Sequence, residues 1–380
     1  MKNKYRIQIV ITCYCLMFAI FSVTGQDNKP STQNAEIERT NAYARQLENY
    51  LKLYLVDQYD ERAANAWHRD YSSIDAFERS VESNRARWKS IVIKPPVLIK
   101  SGSLNRRPFI IEGIQGEWIE LPLGAITAQA FLAFPAGTGS QKKVPIVIVQ
   151  HGISTTPESP FRTGASHEYA KELLKAGFAV LVPMNLMSIE RRNRIERLCK
   201  LANISLPGIE LARLQHLLDI VLADPRIDSE RVGMWGISLG GMATMFWMPL
   251  EPRIKAGVVS AWFNQRLNKM VIPDERYVSF LVTPEDYVFL TGWLTEFTDH
   301  DVVSLICPRP LLIQHGKRDL IAWWPQVMEE FNTARNHYEK LKIEDRIQID
   351  MHEGVHEAII ESGIKFMTKW IGLDSKIKSK

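Results

Sequence analysis

The chain has 380 residues, of which 46% are hydrophobic and 24% charged, and its formal net charge is +4. Such a composition is ordinary for a globular protein and supplies enough apolar residues for one large core or two smaller ones. Three of the positive charges lie among the first residues, so the rest of the chain is nearly neutral and nucleic acid is not predicted as a partner.

The first 25 residues have the pattern of a signal peptide. Lys2, Lys4 and Arg6 precede an apolar run over 7–23, and small or polar residues follow. We predict cleavage after Gly25 and export to the periplasm or the extracellular space. The run is short for a membrane span and has no basic flank behind it, so no stable span is expected after cleavage; an uncleaved anchor is the alternative.

Only two cysteines follow the signal peptide, Cys199 and Cys307. Two cysteines do not form a disulfide framework, and separate buried thiols are favoured over a single bridge. The chain has no cluster of cysteine and histidine with metal-ligand spacing, so neither a metal nor another cofactor is predicted.

Residues 26–96 are predicted to be a polar linker followed by a helical region. The stretch 37–92 contains no glycine or proline, and its apolar residues recur at helical spacing. This pattern predicts two or three helices that form an N-terminal appendage. Trp67 and Trp88 are expected to pack in a core and to hold the appendage against the remainder.

Strand patterns begin after this region. Short alternating pieces over 97–135 predict antiparallel edge strands. Six apolar runs then predict strands that are buried on both faces, at 144–149, 179–183, 232–235, 256–260, 310–314 and 347–351. Helical patterns separate these runs, at 164–176, 209–223, 241–248, 325–341 and 357–371.

The alternation of strands and helices predicts an α/β fold, with a mostly parallel twisted sheet and helices on both faces, for a domain over 97–373. Two stretches, 185–208 and 262–303, interrupt the alternation. Insertions at the ends of parallel strands commonly carry substrate loops, and we expect that role for both stretches.

The pentapeptide Gly236-Ile237-Ser238-Leu239-Gly240 lies between a strand pattern and a helix pattern. Gly-x-Ser-x-Gly in this context is typical of a nucleophile elbow, where glycines flank the serine because the turn is tight. Ser238 is therefore the predicted nucleophile, and the N–H of Leu239 is expected to point into the same space.

A serine hydroxyl needs a histidine base and a carboxylate that orients the base. Asp319 follows the strand pattern over 310–314, and His356 follows the pattern over 347–351, so the order along the chain is serine, acid, histidine. These residues are the predicted triad with Ser238. His352 is the competing candidate for the base.

The second oxyanion donor is expected after the strand over 144–149, where the chain reads His151-Gly152-Ile153. The N–H of Ile153 is favoured and that of Gly152 is the second choice. Possible substrate contacts are Trp323, Trp324, Trp262 and Arg192. Core packing is the alternative role for each tryptophan, and a solvated helix face is the alternative for the arginine.

The segment 224–241 closely resembles the α/β-hydrolase superfamily, in its dienelactone-hydrolase-like, acetylxylan-esterase-like and prolyl-oligopeptidase-like branch. The motifs at 151–152, 315–319 and 354–357 resemble that branch as well, and the likeness extends over roughly 108–372 but not over the helical stretch. It implies an α/β-hydrolase fold and serine hydrolase chemistry. Dienelactone hydrolases have cysteine where this chain has Ser238, so that activity is not expected. The chain also lacks the β-propeller length of prolyl oligopeptidases, which counts against a large-domain peptidase.

The predicted function is that of an exported serine carboxylesterase, which hydrolyses acyl esters of carbohydrates, acetyl esters among them, through an acyl-enzyme. The predicted partner is a small-molecule or oligosaccharide ester. A peptidase or amidase of the same branch and a catalytically silent binding module are the alternatives. The residues leave open the acyl group, the alcohol and the oligomeric state.

Overall fold

The computed structural model of the protein describes residues 32–139, 143–164 and 168–373. The predicted signal peptide lies outside these ranges. Within them, no helix combines the length and the apolar character that crossing a membrane would require. The chain divides into two compact units, the first ending at Asn49 and the second beginning at Tyr50.

Four α-helices precede the sheet in the described residues, one more than the upper number expected from the sequence. They are α1 (Thr32–Lys52), α2 (Tyr59–Ala66), α3 (Ile74–Ser80) and α4 (Glu82–Arg87), with π-helical turns at Leu53–Asp57 and Trp88–Ile93. Helix α3 has an N-cap residue: the hydroxyl of Ser73 accepts a hydrogen bond from the Ala76 N–H at 3.1 Å. Such a cap satisfies a free donor of the first turn and starts a new helix.

The described residues contain a single nine-stranded sheet. Its strands are β1 (Asn105–Ile111), β2 (Ile114–Leu123), β3 (Ile126–Ala133), β4 (Val144–Gln150), β5 (Ala179–Pro183), β6 (Ile227–Ile237), β7 (Ile254–Ser260), β8 (Leu311–Gly316) and β9 (Ile347–His352). The order across the sheet is β1-β2-β3-β5-β4-β6-β7-β8-β9. Along this order the pairs β1–β2, β2–β3 and β3–β5 are antiparallel, and the other five pairs are parallel. This pairing confirms the predicted, mostly parallel sheet with its antiparallel edge.

Helices follow on both faces, as predicted. They are α5 (Tyr169–Lys175), α6 (Ile189–Leu201), α7 (Leu206–Val221), α8 (Leu239–Trp247), α9 (Arg266–Val271), α10 (Asp299–Ile306), α11 (Trp324–Lys340) and α12 (Ile360–Ile371). One apolar core includes residues of α7, α8, α10 and α11, and a second includes residues of α5 and α12. The predicted helix over 164–176 begins at Tyr169, and residues 165–167 lie outside the described ranges. Cys199 and Cys307 are both buried free thiols.

The helical region from Tyr59 to Ile93 shares the first of these cores. The indole of Trp88 is fully buried, donates to the Phe246 carbonyl at 3.0 Å and packs edge-on against the Phe246 ring at 5.0 Å. Trp67 is buried as well and donates to the Glu296 carbonyl at 2.7 Å. The expected core role of both tryptophans is confirmed.

A buried carboxylate ties the same region to α10. Asp301 accepts hydrogen bonds from the Arg69 guanidinium at 2.5 Å and from the hydroxyls of Tyr59 and Thr298 at 2.5 and 2.6 Å. Burial alone would raise the pKa of Asp301, but the charges of His300 and Arg69, together with the two hydroxyl donors, lower it to about 2. The carboxylate is therefore charged, and these side chains stabilise its charge together with the Thr298 N–H, which donates to it at 3.2 Å.

Truncation of Trp88 to alanine tests the contribution of this region to stability. We expect the free energy of unfolding to fall by about 3–5 kcal/mol, because a buried indole is removed and a cavity remains beneath α8. Urea unfolding of the wild type and the variant measures the change. Trp324→Ala is the matched control, since that side chain is 39% exposed and should change stability far less. Equal losses of unfolding free energy in the two variants would contradict the stabilising role of Trp88.

Candidate active site

The turn between β6 and α8 places Ser238 at the carboxyl end of the parallel strands. Its backbone has φ 56° and ψ −118°, which a serine adopts only under strain of about 1–3 kcal/mol. Two backbone hydrogen bonds hold it there: the Ser238 N–H donates to the Ser260 carbonyl at 2.9 Å, and the Ser238 carbonyl accepts from the Met242 N–H at 2.9 Å. The neighbouring strand and the helix therefore impose the strained conformation on the serine.

The glycines of the pentapeptide are required by close backbone approach. A Cβ on Gly236 would overlap the Gly240 carbonyl, and a Cβ on Gly240 would overlap the Gln150 carbonyl at the end of β4. The elbow thus touches the end of β4 directly, and the Gly-x-Ser-x-Gly spacing follows from the packing of β6, β4 and α8.

Gly240→Ala should therefore damage the site more than its size suggests. We expect a loss of about 10²-fold or more in kcat/KM, because the β4 end and the start of α8 must separate and displacements near 1 Å are costly in catalysis. Steady-state kinetics and a thermal melt measure the two effects. Gly139→Ala is the control, since no heavy atom lies within 4 Å of a Cβ built there. Wild-type activity of Gly240→Ala would contradict the packing argument.

The predicted acid and base meet at the same end of the sheet. The imidazole of His356 donates from Nδ1 to Asp319 Oδ2 at 2.8 Å, and Asp319 Oδ1 accepts from the Ile321 N–H at 2.9 Å. Asp319 is buried, whereas 40% of the His356 side chain is exposed. A carboxylate on Nδ1 leaves Nε2 free to accept a proton. Among the described residues, no hydrogen bond joins Ser238 Oγ to His356, a contact that commonly tightens only when substrate binds.

The loops that carry the acid and the base are bound to each other. The Lys317 N–H donates to the His352 carbonyl at 2.8 Å, and the Arg318 N–H donates to the Gly354 carbonyl at 3.0 Å. His352, the competing candidate for the base, accepts the Gly354 N–H at 3.1 Å on Nδ1. The His352 ring is therefore hydrogen-bonded within its own loop, and His356 is the histidine bonded to Asp319.

A buried polar chain beneath the site was not predicted from the sequence. The Trp235 indole donates to Ser260 Oγ at 3.0 Å, and Ser260 donates to Gln314 Oε1 at 2.6 Å. Gln314 in turn donates to the Ile359 carbonyl at 2.7 Å and accepts the Ile359 N–H at 3.1 Å. This chain connects β6, β7 and β8 to the segment that follows His356. A glutamine inside an apolar strand run was the signal that could have revealed it.

The loop after β4 passes beside the serine. A Cβ built on Gly152 would lie 3.5 Å from both the Ile237 carbonyl oxygen and the Ser238 Cβ. Burial lowers the pKa of the neighbouring His151, which favours the neutral form of this ring. Leu239 begins α8, and the first N–H groups of a helix have no intrahelical acceptor. Leu239 and either Ile153 or Gly152 stay the predicted oxyanion donors.

A cavity of about 230 Å³ opens at Ser238. It is lined by Ser238, Leu239, Trp262, Lys269, Val278, Phe280, Glu285, Tyr287, Leu320 and Ile321. Ligand cavities are commonly roughly 300–1,000 Å³, so this one suits an acyl group or a single sugar ring. Six of its residues come from the inserted stretch over 262–303. Besides Ser238 and the indole of Trp262, its polar side chains are Lys269, Glu285 and Tyr287, which were not predicted from the sequence.

Among the predicted substrate contacts, Trp262 is the one that lines this cavity in the part of the chain that the structure describes. Arg192 is fully buried and bonds Glu210 with two nitrogens at 2.6 and 3.1 Å. The Trp323 ring lies 4.0 Å from the Arg276 guanidinium, and Trp324 is half-exposed at the start of α11. The structure therefore does not bring these three together with Ser238 in the cavity.

Comparisons with known proteins agree on the fold. No protein-family model matches the chain. YitV of Bacillus subtilis (strain 168), provisionally named an esterase, is 22% identical over 281 residues, covering 66% of this chain and 98% of that protein. A structure from Bacteroides fragilis NCTC 9343, provisionally described as an acetyl xylan esterase, is 18% identical with a TM-score of 0.59, over 79% of this chain and 84% of that one.

A glucuronoyl esterase from Solibacter usitatus is 12% identical with a TM-score of 0.57, over 78% of this chain and 94% of that one. At these identities the likeness to the two solved structures demonstrates the fold. The chain has the α/β-hydrolase fold, as the sequence motifs predicted.

Proposed function

We propose that the protein is a serine esterase that hydrolyses carboxylic esters through Ser238, His356 and Asp319. The observation that carries the proposal is the hydrogen bond of 2.8 Å between His356 and Asp319, at the sheet edge where Ser238 occupies a strained turn beside a cavity. The esterase names of the relatives support the same class of reaction.

In the proposed mechanism, Ser238 Oγ attacks the ester carbonyl while His356 Nε2 takes the hydroxyl proton. The carbonyl carbon becomes tetrahedral, and its oxygen becomes an oxyanion. His356 then gives the proton to the alcohol oxygen, the bond between carbon and alcohol breaks, and an acyl-enzyme remains. Water repeats the sequence: His356 takes a proton from the water, and the acid is released as Ser238 regains its proton.

The oxyanion would accept hydrogen bonds from the Leu239 N–H and from the Ile153 or Gly152 N–H. Leu239 lines the cavity at the start of α8, where the helix dipole also favours negative charge. Backbone donors that already point at the site cost no reorganisation during the reaction, and each is worth about 10²–10³ in turnover.

The substrate class we propose is an ester on a carbohydrate. The rings of Trp262, Phe280 and Tyr287 line the cavity, and aromatic side chains present suitable faces to a sugar ring. Two structural relatives bear the names of carbohydrate esterases. We also propose that residues 1–25 direct export, so that the enzyme meets polymers outside the cytoplasm; mass spectrometry of the mature protein should find an N-terminus at Gln26.

A substrate panel tests the proposal. Acetylated xylo-oligosaccharides, a methyl ester of glucuronic acid and an aminoacyl 4-nitroanilide are offered to the full-length protein, and released acid, methanol or nitroaniline is measured. Turnover of at least one sugar ester, together with labelling by a fluorophosphonate probe, is expected. Faster turnover of the anilide would favour a peptidase, whereas no turnover and no labelling would favour a binding module.

A further inference from the structure

Lys269 is the cationic side chain that lines the cavity at Ser238 within the described residues. It belongs to α9 and is 2% exposed. Its Nζ donates to the Val278 carbonyl and lies 4.2 Å from the centre of the Phe280 ring. The ammonium group is therefore buried in the wall of the site that the proposed function assigns to the ester.

The charge of this lysine has no close counter-charge. Among the described residues, no carboxylate oxygen lies within 4.0 Å of Lys269 Nζ. Of the charged groups that act on it, Arg266 is paired with Asp299 at 2.8 Å. The other two are carboxylates: Asp319 is bonded to His356, and Glu285 accepts the Tyr287 hydroxyl at 3.0 Å.

Burying an ammonium group without a carboxylate partner is costly, and a hydrophobic side chain of similar length would avoid that cost. Burial, with a smaller contribution from the charge of Arg266, lowers the pKa of Lys269 to about 7. Near pH 7 the amine of the free protein is thus only partly protonated, because the protein compensates its charge poorly, and it borders the space that the substrate enters. A carboxylate on the substrate would supply the missing partner.

We propose that Lys269 determines specificity by pairing with a carboxylate that the ester substrate carries in addition to the ester attacked by Ser238. The inference rests on the proposed function and narrows it to anionic esters. Because Trp262, Phe280 and Tyr287 complete the wall and Glu285 can accept a hydroxyl, an ester of an acidic sugar fits the cavity best. The carboxylate can belong to the acyl part or to the alcohol part.

Two matched substrate pairs distinguish these sources. On the alcohol side, 4-acetoxybenzoate is compared with 4-methylphenyl acetate; on the acyl side, monomethyl adipate is compared with methyl hexanoate. The wild type should prefer the anionic member of one pair. Lys269→Met should lower the anionic-to-neutral ratio of kcat/KM for that pair by about 10- to 100-fold, the usual value of one hydrogen bond to a charged group.

The pH dependence of the substrate preference is a second test, because a purely structural role of Lys269 would not change it. The anionic-to-neutral ratio of kcat/KM should fall as the pH rises above about 7, because Lys269 then loses its proton. Titration of the catalytic base affects both substrates and cancels in the ratio. Lys269→Met should show a flat ratio. Lys365→Met, which removes an exposed lysine of α12, is the control and should retain the wild-type ratio.

Calorimetric titration with D-glucuronate and D-glucose measures carboxylate binding independently of ester hydrolysis. Glucuronate should bind the wild type at least about tenfold more tightly than glucose, and Lys269→Met or, if that variant is misfolded, Lys269→Gln should abolish the difference. Three results would overturn the inference. The variant could lose kcat/KM equally for both members of a pair, or the wild type could show no preference for the anionic compound in either the kinetic or the binding assay. The third result is a preference for the anionic compound that persists in the variants. Hydrolysis of neutral esters alone would overturn the inference and leave the esterase proposal standing, whereas Lys269-dependent binding of glucuronate without hydrolysis of any ester would overturn the esterase proposal and leave Lys269 as a carboxylate-binding residue.

Discussion

Replacing Ser238 with alanine is expected to lower kcat for ester hydrolysis by about 10⁴- to 10⁶-fold. The reason is chemical: the acyl-enzyme cannot form without the hydroxyl, and only the oxyanion donors and substrate binding remain. Turnover of an acetyl ester with a chromogenic alcohol gives the measurement. A thermal melt should be nearly unchanged, because alanine retains the Cβ and the strained backbone of the turn.

Ser103→Ala is the matched control for this substitution, since Ser103 is exposed and precedes β1. It should leave both turnover and fluorophosphonate labelling at wild-type levels. Loss of labelling in Ser238→Ala alone would identify the nucleophile directly. If Ser238→Ala hydrolysed the ester as fast as the wild type, the triad assignment would have to be abandoned.

Asp319→Asn should lower kcat by about 10⁴-fold with little change in the fold. Asp319 Oδ1 accepts the Ile321 N–H, so the asparagine would keep its oxygen there and turn its NH₂ toward His356. The ring would then have to accept on Nδ1 and carry its proton on Nε2. That tautomer cannot take the proton of Ser238.

Steady-state kinetics of Asp319→Asn, with an intact fluorescence and melting profile, test this expectation. Asp345→Asn is the control, because Asp345 is exposed and its pairing with Lys369 at 3.5 Å lies at the surface. A loss of less than about tenfold in Asp319→Asn would mean that another group orients His356.

The elbow and the pair of acid and base could be predicted because each depends on local rules. The glycines around Ser238 reflect one tight turn, and Asp319 and His356 each follow a recognisable buried strand. The topology of a parallel sheet then brings the ends of those strands to one edge. The distance between Ser238 Oγ and the His356 ring depends on side-chain positions that no sequence pattern encodes.

The cavity wall could not be predicted in the same way. Lys269 and Glu285 lie in a stretch of short helices and turns without periodicity, so nothing in the pattern indicates which side chains face inward. Arg192 was expected either to contact the substrate or to lie on a solvated helix face, but it is buried, because its partner Glu210 lies on the following helix. Tertiary partners of this kind decide burial and are invisible to local patterns.

The helices before the sheet have a consequence for where a stable fragment can begin. A fragment that started at 97 would lose Arg69 and Tyr59, leaving the buried charge of Asp301 with fewer donors, and would lose Trp88 from beneath Phe246. Phe246 belongs to α8, whose first residue, Leu239, is the proposed oxyanion donor. We therefore expect a fragment that starts at 97 to be unstable, and expression fragments should start upstream of Tyr59.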